Sequence, residues 1–298
     1  MNDVTVKSSF QPPDPRQEES CTIFAGESIL LKWCESFKIL FMERLDYSVL
    51  DNPLLLQSIF FPRSDWSPAP EGASDHYVTV EEDVSVFCRF YPVSIKGPSF
   101  LYFHGNGEVV CDHDWISHLY NAIGVNLFVV DYRGYGPSGG SPTFSNTATD
   151  AHIVFDHVAK MLGAEGYTGS LYVMGRSLGS QSAMELAAHH PDEFKGLILE
   201  SGFLQSGRLL GSLGLPIEIP NLAEFEASSL EQVGGITMPT LIIHGEQDTL
   251  IPHIEADTIY EHIGTSEKEL LTIKGGGHND ILLVGMDQYF NAIKDFIQ

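Results

Sequence analysis

From about residue 76 onward, short apolar runs alternate with longer segments in which apolar positions recur every three or four residues. The first pattern suits strands buried on one or both faces, the second helices with one apolar stripe. Strands are predicted over 76–80, 84–90, 99–104, 126–132, 170–175, 196–201, 240–244 and 269–273. Helices are predicted over 114–123, 147–162, 177–190 and 253–263. A last helix closes the chain, where Met286, Phe290, Ile293 and Ile297 share a face. Two leading strands followed by strand–helix repeats predict an α/β fold with a mostly parallel eight-stranded sheet flanked by helices.

Before this alternation the pattern changes. Residues 1–25 are rich in Pro, Ser and acid and read as a loose tail. Leu30, Cys34, Phe37, Phe41 and Leu45 then fall at helical spacing, predicting an amphipathic extension that packs on the main domain or meets a partner or membrane surface. Turn residues over 61–75 place a domain boundary near residue 70, giving an extension over 1–70 and a main domain over 71–298. Residues 203–235, with glycines, two prolines and scattered leucines, suit either a small lid or an irregular crossover.

Charge and cysteine usage narrow the classes. The 298-residue chain is 43% hydrophobic, enough for a large core, and carries a formal charge of -24. That balance excludes a nucleic-acid partner and predicts repulsion from anionic membranes and polyanionic substrates, although acidity is also the ordinary surface of a soluble protein. The four cysteines, Cys21, Cys34, Cys88 and Cys111, show no paired or metal-ligand spacing. Cys88, on a strand face with Val84, Val86 and Phe90, is expected to be buried and reduced. The start of the chain lacks a basic stretch leading into an apolar core, and Lys32, Glu35, Lys38 and Glu43 interrupt the apolar segment over 29–45. No stable membrane insertion and a cytoplasmic location are therefore expected.

The candidate chemistry centres on "VMGRSLGS". A strand-like run leads into Gly175, Arg176, Ser177, Leu178 and Gly179, and a helix with small residues Gly179, Ala183 and Ala187 on one face follows. A nucleophile on such a turn projects from the sheet edge, and the glycines spare a Cβ that would collide with its neighbours. A hydroxyl needs a base held by a third group. Asp248 follows the run over 240–244, and His278 lies in a triple-glycine loop after the next strand, in the order Ser, Asp, His. Glu200 is the lesser candidate for the acid. "HGNG" (residues 104–107) offers a backbone N–H, that of Asn106 before that of Gly107, to pair with the Leu178 N–H as oxyanion donors.

Other residues invite simpler readings. Gly107 and Arg176 border the expected substrate site, yet Arg176 and Arg133 are expected to brace loops through carboxylates. Cys111, His113, Asp114 and His118 in "CDHDWISH" look metal-like, but His113 and His118 do not share a helical face, so no metal is expected. Asp280 is expected to cap the segment after it.

In order, "HGNG", "DYRGYGPSGG", "GRSLGS", "HGEQD" and "GGGHND" resemble the motif series of α/β-hydrolase-fold serine hydrolases from about residue 76 to the end. They are most similar to the Bem46-like and ABHD13/ABHD17-like branch. The resemblance implies Ser177 as nucleophile, His278 as base then acid, Asp248 as orienting carboxylate, and Asn106 and Leu178 as oxyanion donors, with no cofactor. Some members of that branch remove acyl groups from protein cysteines. Ser180 departs from the pattern, standing where many members have a second glycine. The expected activity is hydrolysis of a carboxylic ester or thioester of a small-molecule acyl substrate. A serine peptidase or amidase, or a hydrolase-like binding protein without turnover, are the alternatives.

Overall fold

The computed structural model describes residues 44–298, so the tail and all but the end of the amphipathic segment lie outside the described residues. Eight strands form one sheet: β1 (Ser74–Glu81), β2 (Val84–Tyr91), β3 (Ser99–Phe103), β4 (Asn126–Val130), β5 (Leu171–Arg176), β6 (Leu197–Glu200), β7 (Thr240–Gly245) and β8 (Lys268–Ile273). Their spatial order is β1-β2-β4-β3-β5-β6-β7-β8. β2 runs antiparallel to both its neighbours, and every pair from β4 to β8 is parallel.

The period of two along each central strand divides the core. Leu101, Phe103, Phe128, Val130, Val173, Leu199 and Ile242 enter one apolar cluster. Phe100, Tyr102, Leu127, Val129, Met174, Ile198 and Ile243 enter the other. On the first face lie α3 (Phe144–Ala164) and α4 (Gly179–His189); the second is covered by α2 (Ser117–Ala122) and α8 (Ile281–Phe296). The same alternation throws Arg176 and Glu200 onto the second face, because they share parity with Met174 and Ile198.

Helix ends differ from the apolar pattern for local reasons. α3 begins earlier because Thr143 accepts from the Asn146 N–H at 3.1 Å while Asn146 caps the Thr143 N–H at 2.9 Å. Of the predicted helix over 114–123 only the short α2 forms, preceded by a 3-10 turn at Val110–His113. The Asp114 carboxylate between them is held by Arg89 at 2.9 Å and Tyr91 at 2.7 Å.

A boundary near residue 70 does not appear: the described residues, 44–298, fall in one compact unit. Tyr47, Leu50, Leu55, Ile59 and Phe60 are buried in the core of the main domain. The last three belong to or adjoin α1 (Pro53–Ile59), which Asn52 caps through the Leu54 N–H at 2.9 Å and Pro53 opens. Residues 203–235 form α5 (Ser206–Ser212) and α6 (Leu222–Gly234), with Leu210, Phe225 and Val233 buried in the first cluster. They are an irregular crossover from β6 to β7, held by Glu255, which receives the Leu204 N–H at 2.8 Å and Arg208 at 2.7 Å. Among the described residues no helix is long and apolar enough to cross a membrane.

Successive connections leave β3 in opposite directions, to β4 on one side and later to β5 on the other. This opens a crevice at the carboxyl ends of β3 and β5, where open α/β sheets bind ligands. Its tightness rests on glycine. A Cβ on Gly179 would overlap the Phe103 carbonyl, whereas one on Gly163, near the end of α3, would meet nothing. Gly179→Ala is expected to cost about 2–3 kcal/mol in urea unfolding. Gly163→Ala should be neutral or stabilise by up to about 1 kcal/mol.

Candidate active site

Ser177 sits between β5 and α4 with φ +50°, a left-handed conformation rare for a residue bearing a Cβ. Three hydrogen bonds hold it. Its N–H donates to the Glu200 carbonyl at 2.8 Å, and its carbonyl accepts from the Ser180 N–H at 3.0 Å and the Ser180 hydroxyl at 2.6 Å. Ser180 is therefore more than a packing substitution for glycine, since it fastens the turn that aims the neighbouring hydroxyl.

Chain folding brings Ser177, His278 and Asp248 into one relay. The Ser177 hydroxyl lies 3.0 Å from His278 Nε2, and His278 Nδ1 lies 2.7 Å from Asp248 Oδ2. Asp248 Oδ1 accepts the Leu250 and Ile251 N–H groups at 3.0 and 2.8 Å, so the carboxylate is anchored on both oxygens. Burial alone would raise its pKa, but the His278 and Ile251 donors outweigh this and leave it below the ordinary carboxylate value. Nearby, burial depresses the pKa of His244, whose Nε2–H donates to the Ile251 carbonyl at 2.8 Å.

The loop over 104–107, which carries the candidate oxyanion donor, is clamped by side chains that its glycines do not advertise. Asn106 Oδ1 accepts from the Phe61 N–H at 3.0 Å and the Tyr135 hydroxyl at 2.7 Å, and its Nδ2 donates to the Ile59 carbonyl. The segment after α1 thus reaches across to fix this loop. At its base the buried His104 donates to Asp131 at 3.0 Å and to the Gly105 carbonyl at 2.8 Å. Burial opposes the imidazolium, but these acceptors win and raise the His104 pKa. The backbone N–H groups of Asn106 and Leu178 meet no acceptor among the described residues. Gly107 has φ +75°, and its carbonyl accepts from Arg63 at 3.0 Å.

Protein partners occupy the Arg176 guanidinium, as expected of a residue that braces loops. It donates to Glu200 at 3.0 Å, to Glu108, to the His278 carbonyl at 2.8 Å and to Asn279 at 3.1 Å. Burial disfavours the Arg176 charge, yet Glu108 and Glu200 hold it firmly protonated; Arg176 in turn draws the Glu108 pKa below its ordinary value against burial. Tyr289 completes the group with a 2.7 Å bond to Glu200. Arg133 likewise braces Asp150, at 2.8 Å through both Nε and Nη2, and Glu81. Glu200 is committed to Arg176 and Tyr289 rather than to the imidazole. Sequence pattern did not single out Glu108, since one acid after "HGNG" looks like any loop residue.

The metal-like stretch disperses into separate partnerships: Asp112 receives Arg63 at 2.7 Å, Asp114 receives Arg89, and His118 is exposed. Asp280 reaches back to the Gly277 N–H at 2.5 Å instead of capping α8 forward, so it shapes the His278 loop. Of the described residues, His152, Glu185 and His189 have donor atoms close enough to share a cation. Glu185 already accepts from His152, Tyr47 and Gln232, at 3.1, 3.1 and 2.7 Å, which accounts for its burial without one.

Comparison with known proteins gives the family and the fold. A family profile described as serine aminopeptidase, S33 (Hydrolase_4) matches residues 98–225 and 219–282. The chain belongs to this α/β-hydrolase family. Protein bem46 of Schizosaccharomyces pombe is 28% identical over 205 residues, 67% of each chain. Human alpha/beta hydrolase domain-containing protein 17B is 28% identical over 247 residues, 79% of this chain and 80% of its own. A Saccharomyces cerevisiae relative named as an uncharacterized membrane protein, YNL320W, is 30% identical over 61% of this chain and 64% of its own. Among solved structures, the Pyrococcus furiosus esterase Pf2001 superposes with a TM-score of 0.64 at 18% identity, covering 80% of this chain and 98% of its own. Est1E of Butyrivibrio proteoclasticus, solved with ferulic acid, gives 0.63 at 22% identity over 74% and 97%. Both share the fold.

Two expectations follow. Arg176→Met leaves the buried Glu200 and the half-buried Glu108 without their cation and should lower stability by about 3 kcal/mol in urea; unchanged stability with a raised KM would instead mark a substrate ligand. The lowered Asp248 pKa stabilises the fold above the unfolded carboxyl pKa of about 3.9, and this contribution disappears as pH falls through the folded value. The stability lead of wild type over Asp248→Asn, read by urea unfolding across pH, should therefore shrink on acidification and not grow.

Proposed function

We propose that this hydrolase cleaves a carboxylic ester or thioester through an acyl-serine intermediate. The observation that carries the reading is the continuous hydrogen-bonded path from Ser177 through His278 to Asp248. In the first half-reaction the Ser177 oxygen bonds the substrate carbonyl carbon as His278 Nε2 takes its proton. The bond to the leaving atom then breaks, and Nε2 returns that proton to it. Water repeats the sequence in the second half, releasing acid and restoring the hydroxyl. Asp248 keeps the imidazole in the tautomer that presents a lone pair to Ser177 and stabilises its charged form. The Asn106 and Leu178 N–H groups are the proposed donors to the developing oxyanion.

Esterase neighbours in fold, including Pf2001, support an ester substrate. The family's description as an aminopeptidase supports amide cleavage as a second reading. Short p-nitrophenyl esters and the matching p-nitroanilides separate the two by rate. With esters, Ser177→Ala should abolish turnover and Asp248→Asn should lower kcat by about 10⁴. Equal rates in wild type and Ser177→Ala would refute the reading.

A further inference from the structure

A cavity of about 430 Å³ opens beside the relay between the 3-10 turn at Val110–His113 and α8. Its size suits a small organic ligand. Its walls include His278 and Asn279, but neither Ser177 nor the candidate oxyanion residues Asn106 and Leu178. The Arg176–Glu108 pair, also in the wall, ties the two sides together: Glu108 receives the Gly105 N–H at 3.0 Å and Arg176 holds the His278 carbonyl. The cavity therefore adjoins the His278 loop of the site.

Its lining is divided. Trp115, Ile116, Leu282, Leu283 and Met286 supply the apolar part. Trp115 and Leu283 remain 58% and 86% exposed, an amount of apolar surface that a ligand would cover. Opposite them the Tyr120 and Tyr289 hydroxyls are 3.0 Å apart in a chain ending on Glu200. Glu108 and Glu200 share the cation Arg176, and Asp112, also in the wall, is paired with Arg63 outside it, so the wall has more carboxylates than cations and its one guanidinium is already paired.

We infer that this cavity is the leaving-group subsite of the proposed hydrolysis and takes an apolar, non-anionic alcohol or thiol fragment. The inference rests on the acyl-serine reading. His278 Nε2 must hand its proton to the departing atom, so the departing fragment lies beside His278, which belongs to this cavity's wall, whereas Asn106 and Leu178 do not. Burying an alkyl substituent there removes both ligand and Leu283 surface from water, and each added methylene strengthens transition-state binding.

The test uses the full chain and 4-alkylphenyl acetates, whose phenols have nearly equal pKa, so that chain length changes binding and not leaving ability. In wild type, kcat/KM should rise at least about tenfold from the 4-methyl to the 4-butyl ester. In Trp115→Ala/Leu283→Ser the rise should fall to about two- to threefold. The dependence on acyl length, measured with 4-methylphenyl acetate through hexanoate, should persist in that variant. Leu213→Ser, at an exposed leucine outside the cavity wall, should keep both dependences. The 4-(2-carboxyethyl)phenyl ester should be at least about tenfold poorer than the 4-propylphenyl ester. A flat leaving-group series in wild type, loss of the acyl-length dependence alone in the double variant, or preference for the carboxylate would overturn the assignment. If no ester turns over and Ser177 resists a fluorophosphonate, the acyl-serine reading fails instead.

Discussion

The site depends on how closely a turn of backbone can approach a neighbouring strand. At Gly179 the first turn of α4 lies against the Phe103 carbonyl, and at Gly175 the end of β5 lies against Gly179 and Ala183. Any side chain at either glycine would push the elbow away from β3 and displace the Ser177 hydroxyl from His278. The left-handed Ser177 costs on the order of 1–2 kcal/mol. The Glu200 carbonyl, the Ser180 hydroxyl and burial of α4 offset this cost. Strain persists where the surrounding structure over-determines it, and here it is overdetermined from the strand, the helix and the next strand together.

A second constraint is electrostatic. The chain carries a charge of -24, yet the interior around the relay is built of compensated groups. Arg176 pairs with both Glu108 and Glu200, while the Asp248 carboxylate is stabilised in its charged form by hydrogen bonds on both oxygens. Such buried networks work only when complete, because an orphaned charge costs more than the pair contributes. Freeing the arginine beside the candidate nucleophile for an acidic ligand would strand two carboxylates. It also links the loop over 104–108 to the His278 loop through one side chain.

Much of this was legible in the sequence because strand parity, glycine placement and motif order are local or periodic signals. Each of the eight strands overlaps its predicted run, and Ser177, Asp248 and His278 converge from loops after β5, β7 and β8. Contacts that depend on distant partners were not legible. Nothing near Asn106 announces that its side chain will clamp Phe61 and Tyr135, and nothing near Glu108 announces Arg176. The turn-rich stretch after Phe60 reads as a boundary by composition, but Arg63 bonds the Gly107 carbonyl and Asp112 and keeps it within the domain. The crossover over 203–235 was ambiguous because amphipathic helices with glycine ends look alike whether they cover a site or fill a core.

Formation of a covalent adduct on Ser177 is the most direct test of the central claim. The protein would be mixed with a fluorophosphonate, followed by intact-mass measurement and peptide mapping over time. The account predicts one adduct per chain, on the peptide containing Ser177, absent in Ser177→Ala and slowed by several orders of magnitude in His278→Ala. Labelling at the same rate without His278, or on a different residue, would show that the observed hydrogen-bonded path does not activate this hydroxyl.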